Sequence, residues 1–121
     1  MRIKPGHARV VFDEVAFAED VMRSGRAGAR VLRETRRRYE RDGVAVASLR
    51  SCEAEGRDGT KLPGCIKVYL PEPDGKFGMV LALAVDKRGF GLRYLAFGVR
   101  HHPKGSHAET VYQVAHRRLN G

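Results

Sequence analysis

The sequence predicts an α+β fold in which an N-terminal helical hairpin packs on a small antiparallel β-sheet and a C-terminal helix closes the chain. Three observations predict it. Two stretches of helical apolar spacing lie between Asp13 and Arg41, broken at Ser24-Gly25. Three β-prone runs follow, at 65–70, 77–85 and 92–99, separated by tight turns. A last helical pattern runs to Leu119. At 121 residues the chain fits a single domain, 1–121.

Residues 8–12 (Ala-Arg-Val-Val-Phe) form a short β-prone run. Asp13 then offers an N-cap for a helix to Arg23, with Val15, Ala18 and Met22, joined by Phe17 and Val21, as one buried stripe. A second helix, from Arg26 to Arg41, ends at Asp42-Gly43, where glycine suits the left-handed position after the last turn. Its inner face is Val31, Leu32, Thr35 and Tyr39; its outer face carries Arg30, Arg33, Arg36, Arg37, Arg38 and Arg41. Residues 44–47 are compatible with a strand or a packed loop, and the glycines and proline of 56–64 make that segment a loop. Cys65-Ile66-Lys67-Val68-Tyr69-Leu70 alternates apolar with polar, as a half-buried strand does. The apolar run from Phe77 to Val85 predicts a central strand covered on both faces. Asp86-Lys87-Arg88-Gly89 makes a hairpin turn into the strand 92–99. Ser106 is placed to cap a closing helix whose Ala108, Val111, Ala115 and Leu119 face inward.

Composition narrows the function classes. Apolar residues make up 42% and no run reaches the ~18 apolar residues of a membrane span, so a soluble globular protein without a membrane partner is expected. The N-terminus lacks an apolar signal segment, and Cys52 and Cys65 are too few for a disulfide scaffold. A cytoplasmic protein with free thiols is the expectation. The net charge is +9, with 13 basic and 10 acidic side chains in 1–60 against 10 and 4 in 61–121. Such a basic chain points to a polyanionic partner, nucleic acid above all. Four of the five histidines lie in the second half, but without cysteine or carboxylate ligands at zinc spacing no metal is expected.

The order of elements and the C-terminal half resemble the RelE/ParE superfamily of bacterial toxins. The likeness is carried by the strand Cys65–Leu70, by Phe97-Gly98-Val99-Arg100-His101-His102 after the last strand, and by the Val111-Tyr112 pair opening the final helix. It covers about residues 65–119; over residues 10–42 it is one of topology. The resemblance implies a RelE-like fold and a toxin that enters the ribosomal A site and cleaves messenger RNA without a cofactor, held in check by a cognate acidic antitoxin. ParE-like members use the same fold to inhibit DNA gyrase, which is the alternative. By resemblance, Lys67, Arg100 and Tyr112 match active-site positions, and His102 stands where YoeB-type members carry a histidine. Tyr69 replaces a second lysine of the family. The arginine that the family places early in the second strand falls on Gly78 or Met79, which leaves Lys76 as the nearby cation. Tyr69, Lys76, His101 and Lys104 complete the set as substrate contacts.

The residue types suit that chemistry. Cleavage at the 2′-hydroxyl needs a base, cations for the crowded phosphorane and an acid for the leaving 5′-oxygen. Arg100 stays charged and forks onto two phosphate oxygens, although a salt bridge to Glu109 or Asp86 would serve structure instead. His102 is of the residue type best suited to moving a proton. Strand alternation puts Lys67 and Tyr69 on one face and Tyr94, Gly98, Arg100 and His102 on one face, with His101 turned the other way.

Overall fold

The computed structural model describes residues 3–52, 61–70, 75–87, 89–102 and 108–121. In chain order the elements are β1 (His7–Ala8), β2 (Val10–Val11), α1 (Glu14–Arg23), α2 (Gly25–Asp42), β3 (Val44–Ala45), a 3-10 turn (Val46–Ser48), β4 (Arg50–Ser51), β5 (Cys65–Tyr69), β6 (Phe77–Asp86), β7 (Gly89–Val99) and α3 (Val111–Asn120). The main sheet runs β2-β7-β6-β5-β4, and β1 pairs separately with β3. The class is α+β.

The helical hairpin forms as its caps dictate. The Asp13 carboxylate accepts from Ala16 N at 3.0 Å and starts α1. Gly43, at φ +80°, ends α2, and a Cβ there would come within 2.6 Å of Ala8 O. One apolar core lies between this hairpin and the sheet, around Leu32, Met79, Leu81, Tyr94 and Phe97. A second lies under α3, around Val80, Leu95, Ala96, Val111, Val114 and Ala115. The sheet is therefore covered by α1 and α2 on one face and by α3 on the other.

Four expectations need correction. The sheet is mixed: β2 runs parallel to β7, pairing Val10 with Leu92 and Val11 with Arg93. A parallel pair needs a long crossover rather than a hairpin, so no local turn announces it. The stripe assigned to α1 is displaced, with Val15 78% and Met22 86% exposed, while Ala16, Phe17, Val21 and the charged Asp20 face inward. Asp20 draws the helix round because it binds the edge of β7. Coverage of β6 stops after Ala82, leaving Leu83, Val85 and Phe90 of the β6–β7 hairpin exposed. Finally α3 begins at Val111, capped by a reciprocal Thr110–Gln113 box, and Ala108 before it is exposed. Ser106 lies outside the described residues.

Candidate active site

The face of the sheet beneath α3 carries a trough, and cross-strand register builds it. Tyr69 stands opposite Gly78, and Gly78 opposite Gly98, so one row across β5, β6 and β7 reads tyrosine, glycine, glycine. A Cβ at Gly98 would meet Val111 at 3.7 Å, which places the first turn of α3 over that glycine. A Cβ at Gly78 would come within 3.0 Å of Arg100 Cγ. The missing side chains thus leave a slot along which the Arg100 stem lies.

Arg100 is held from several sides. Its amide donates to Lys76 O at 3.0 Å and its Nη1 to Gly75 O at 3.1 Å. Its guanidinium stacks on the Tyr69 ring with Cζ 3.8 Å from the centroid, a close cation–π contact. Lys67, two residues before Tyr69 and so on the same face, sets its Nζ 5.5 Å from the Tyr69 ring and 5.6 Å from the Tyr112 ring. Arg50, directly opposite Lys67 on β4, brings its Cζ to 5.6 Å from Tyr69. Three cations and two phenols therefore converge, and no carboxylate forms an ion pair with Arg50, Lys67 or Arg100 among the described residues.

Titration follows from this crowding. Burial acts to lower the Lys67 pKa, but interaction with the Tyr69 hydroxyl and the nearby phenols outweighs it and holds the value above the ordinary lysine range. Burial acts to raise Tyr69, but Lys67 and Arg100 together bring it below the ordinary phenol range. Tyr112 is pushed up by burial, against the opposing pull of Arg100 and Lys67. Near neutral pH the trough is a cationic, aromatic-walled groove, suited to a phosphate flanked by stackable bases.

The structure thus brings together Lys67, Tyr69, Arg100 and Tyr112, and adds Arg50, which sequence reasoning missed. Its only sequence signal is a cation within the 44–63 connection; the β4–β5 register gives it a place. The remaining sequence candidates stand apart. His102 is exposed and its Nδ1 lies 2.7 Å from Ala108 O. A carbonyl has no proton to give, so Nδ1 carries the hydrogen and Nε2 of the neutral ring is left with the lone pair. No contact joins His102 to the trough among the described residues. His101 and Lys76 are exposed, with Lys76 Nζ 5.7 Å from the Phe77 ring. Lys104 lies outside the described residues. Tyr94 is not on this face: a bulge between Val80 and Leu81 of β6 leaves Leu95 without a partner, and Tyr94 turns into the opposite core against Phe12 and Phe17. The salt bridge open to Arg100 is not made with Glu109, which binds Arg117 at 3.1 Å instead. Neither position open to a second-strand arginine holds one, since Met79 is fully buried and Gly78 lies under Arg100.

Cys52 and Cys65 are free and buried beside the trough, and burial pushes the Cys52 thiol up to about 11, so it stays protonated near neutral pH. No helix among the described residues is long and apolar enough to cross a membrane. Compared with known proteins, the chain matches no family model, no curated protein and no solved structure.

Proposed function

We propose that the chain is a RelE-like toxin whose trough binds and cleaves messenger RNA on the ribosome, and that a cognate acidic antitoxin neutralises it. One observation carries the reading: Arg100, Lys67 and Tyr112, each matched by resemblance to an active-site position, converge around Tyr69. In this reading the guanidinium of Arg100 and the ammonium of Lys67 take the charge that grows on the phosphorane oxygens as the 2′-oxygen attacks. Tyr112 and Tyr69 hold the flanking bases by stacking. His102, held at Ala108 O outside the trough, takes no part. Water accepts the 2′-hydroxyl proton, and the Tyr69 hydroxyl, made more acidic by Lys67 and Arg100, gives its proton to the leaving 5′-oxygen. Arg50 takes up part of the role of the family's absent second lysine. The α+β order, with a helical hairpin, a sheet and a closing helix, is compatible with that reading.

Antitoxin binding suits the arginine-rich α2, since Arg117 and Arg118 in the last turn of α3 already pair with Glu109, Glu19 and Asp20. An acidic segment that folds on binding would neutralise that helix.

Induced expression in cells with mapping of transcript ends tests the proposal. Cleavage phased to codons, lost on Arg100→Ala, is the expected result. Arrest with a DNA-damage response and intact transcripts would replace it with the gyrase-directed alternative.

A further inference from the structure

A second concentration of positive charge lies on the far side of the sheet from the trough. Arg26, Arg30, Arg33, Arg37 and Arg41 recur along α2 at intervals of four, three, four and four residues, which puts them on one stripe about 22 Å long. All five are exposed, while Gly28, Ala29, Leu32, Thr35 and Tyr39 turn inward. Arg30 pairs with Glu34 and Arg41 with Asp42. Arg26, Arg33 and Arg37 have no carboxylate partner among the described residues. Like charges four residues apart weaken a helix, so an unneutralised ridge is a feature that packing alone does not favour. Arg36 shows the contrast: it leaves the stripe, lies over the rings of Phe12 and Phe17, and pairs with Glu14 and Glu40.

We propose that this ridge docks on the sugar–phosphate backbone of an RNA duplex. Along one strand of B-form DNA 22 Å would span about six nucleotides at ~3.4 Å each. A-form phosphates are more closely spaced along the axis, so several guanidiniums can reach phosphates together. The form of α2 selects the A-form duplex. A helix that enters the deep major groove of DNA must stand clear of its own domain. Here the inner face of α2 is sunk in the core and α1 lies beside it, so what projects is a row of arginine side chains with Glu34 and Glu40 among them. Such a low ridge fits the wide, shallow minor groove of A-form RNA and its flanking phosphates. Ridge and trough lie on opposite faces: a Cβ at Gly28 of α2 would meet the Phe77 ring at 3.2 Å, whereas Gly78, the next residue of β6, faces Arg100. Both can therefore be occupied at once, and the ridge does not depend on the trough being a nuclease site.

The test uses the full chain and fluorescence anisotropy with an RNA duplex of about 20 base pairs, a DNA duplex of the same sequence, a short single-stranded RNA and a polyglutamate peptide. Charge reversal of the pair, Arg33→Glu with Arg37→Glu, is expected to weaken RNA-duplex binding at least about tenfold. It should also lower the slope of log K against log salt by about 1.5 to 2, two phosphate contacts being lost. Arg33→Lys with Arg37→Lys should hold affinity within about threefold, because backbone neutralisation needs charge more than the fork. Single-strand binding should not change in either variant. If the reversed pair fails to fold, Arg33→Gln and Arg37→Gln singly should each lower the slope by about 0.9. Unchanged duplex affinity in these variants overturns the proposal. So does DNA-duplex binding as tight as RNA, or ridge-dependent binding of polyglutamate without binding of the RNA duplex. Absence of RNA cleavage by the wild-type chain, with duplex binding intact, refutes the trough's assignment and leaves the ridge standing.

Discussion

Asp20 accepts the amide proton of Phe97 at 3.1 Å, joining α1 to β7 across 77 positions of sequence. The bond sits where β2, which pairs only with Leu92 and Arg93, no longer covers the edge of β7. Side chains take over as the missing strand: Arg23 donates to Phe97 O at 3.2 Å and Arg118 to Leu95 O at 2.9 Å. The same Asp20 carboxylate also receives Arg23, two nitrogens of Arg118 and the Tyr94 hydroxyl. An open edge that would invite another chain is closed by a buried ion cluster.

Removing the centre of this cluster should be costly. Asp20→Asn leaves Arg23 and Arg118 without their shared buried counter-charge, and we expect a loss of about 3–5 kcal/mol in urea unfolding. Burial acts to raise the Asp20 pKa, but hydrogen bonds from Arg118, Tyr94 and Arg23 hold it below the ordinary 3.8. The depressed value means that the unfolded chain binds the proton more readily. The stabilisation is therefore complete above about pH 4 and fades as pH falls through the lower folded value. The wild type should lose stability through this acid window more steeply than Asp20→Asn. Parallel stability curves for the two proteins would contradict this account of the cluster.

Tyr69 separates stacking from hydroxyl chemistry. Tyr69→Phe keeps the ring under Arg100 and should hold single-stranded RNA affinity within about threefold. Tyr69→Ala removes the platform and should weaken binding by about 5–30-fold, the equivalent of ~1–2 kcal/mol of cation–π and stacking energy. Anisotropy titrations at fixed salt read both values. A Phe variant as weak as the Ala variant would move the role from the ring to the hydroxyl.

The slot at Gly78 yields a different test. In Gly78→Ala the new methyl must displace the Arg100 stem, since Cβ and Cγ would lie 3.0 Å apart. A displacement of this kind should lower cleavage by on the order of 10- to 100-fold. The fold should survive, because the crowded neighbour is a side chain rather than backbone. Single-turnover rates compared with thermal unfolding would distinguish the two effects. A large fall in stability at unchanged activity would show that the slot serves packing alone.

The residues show where sequence was sufficient. Asp13 and Gly43 mark the ends of the hairpin through local chemistry, and the alternation of Cys65–Leu70 assigns Lys67 and Tyr69 to one face without tertiary information. Three features depended on distant partners. Val15 and Met22 satisfy helical spacing as well as Ala16 and Phe17 do, and partners far along the chain, Tyr94, Phe97 and Arg118, decide that Asp20 faces inward. The bulge at Leu95 breaks the alternation that had placed Tyr94 with Gly98, and its cause lies in the pairing of β6 with β7. Arg50 belongs to the trough through register with Lys67, across a connection whose length says nothing about pairing. Local periodicity was legible, whereas contacts across the sheet edge were not.

The central claim is that Arg100 clamps the scissile phosphate, and cleavage of messenger RNA on programmed ribosomes by Arg100 variants tests it most directly. Arg100→Ala should lower the single-turnover rate by on the order of 10²–10³, as loss of an oxyanion donor does. Arg100→Lys should restore little, because a point charge cannot reproduce the fork. The melting temperature should fall only slightly in both, since Arg100 gives up its bond to Gly75 O and its stack on Tyr69 but no ion pair among the described residues. An Arg100→Ala protein that cleaves at the wild-type rate would contradict the account.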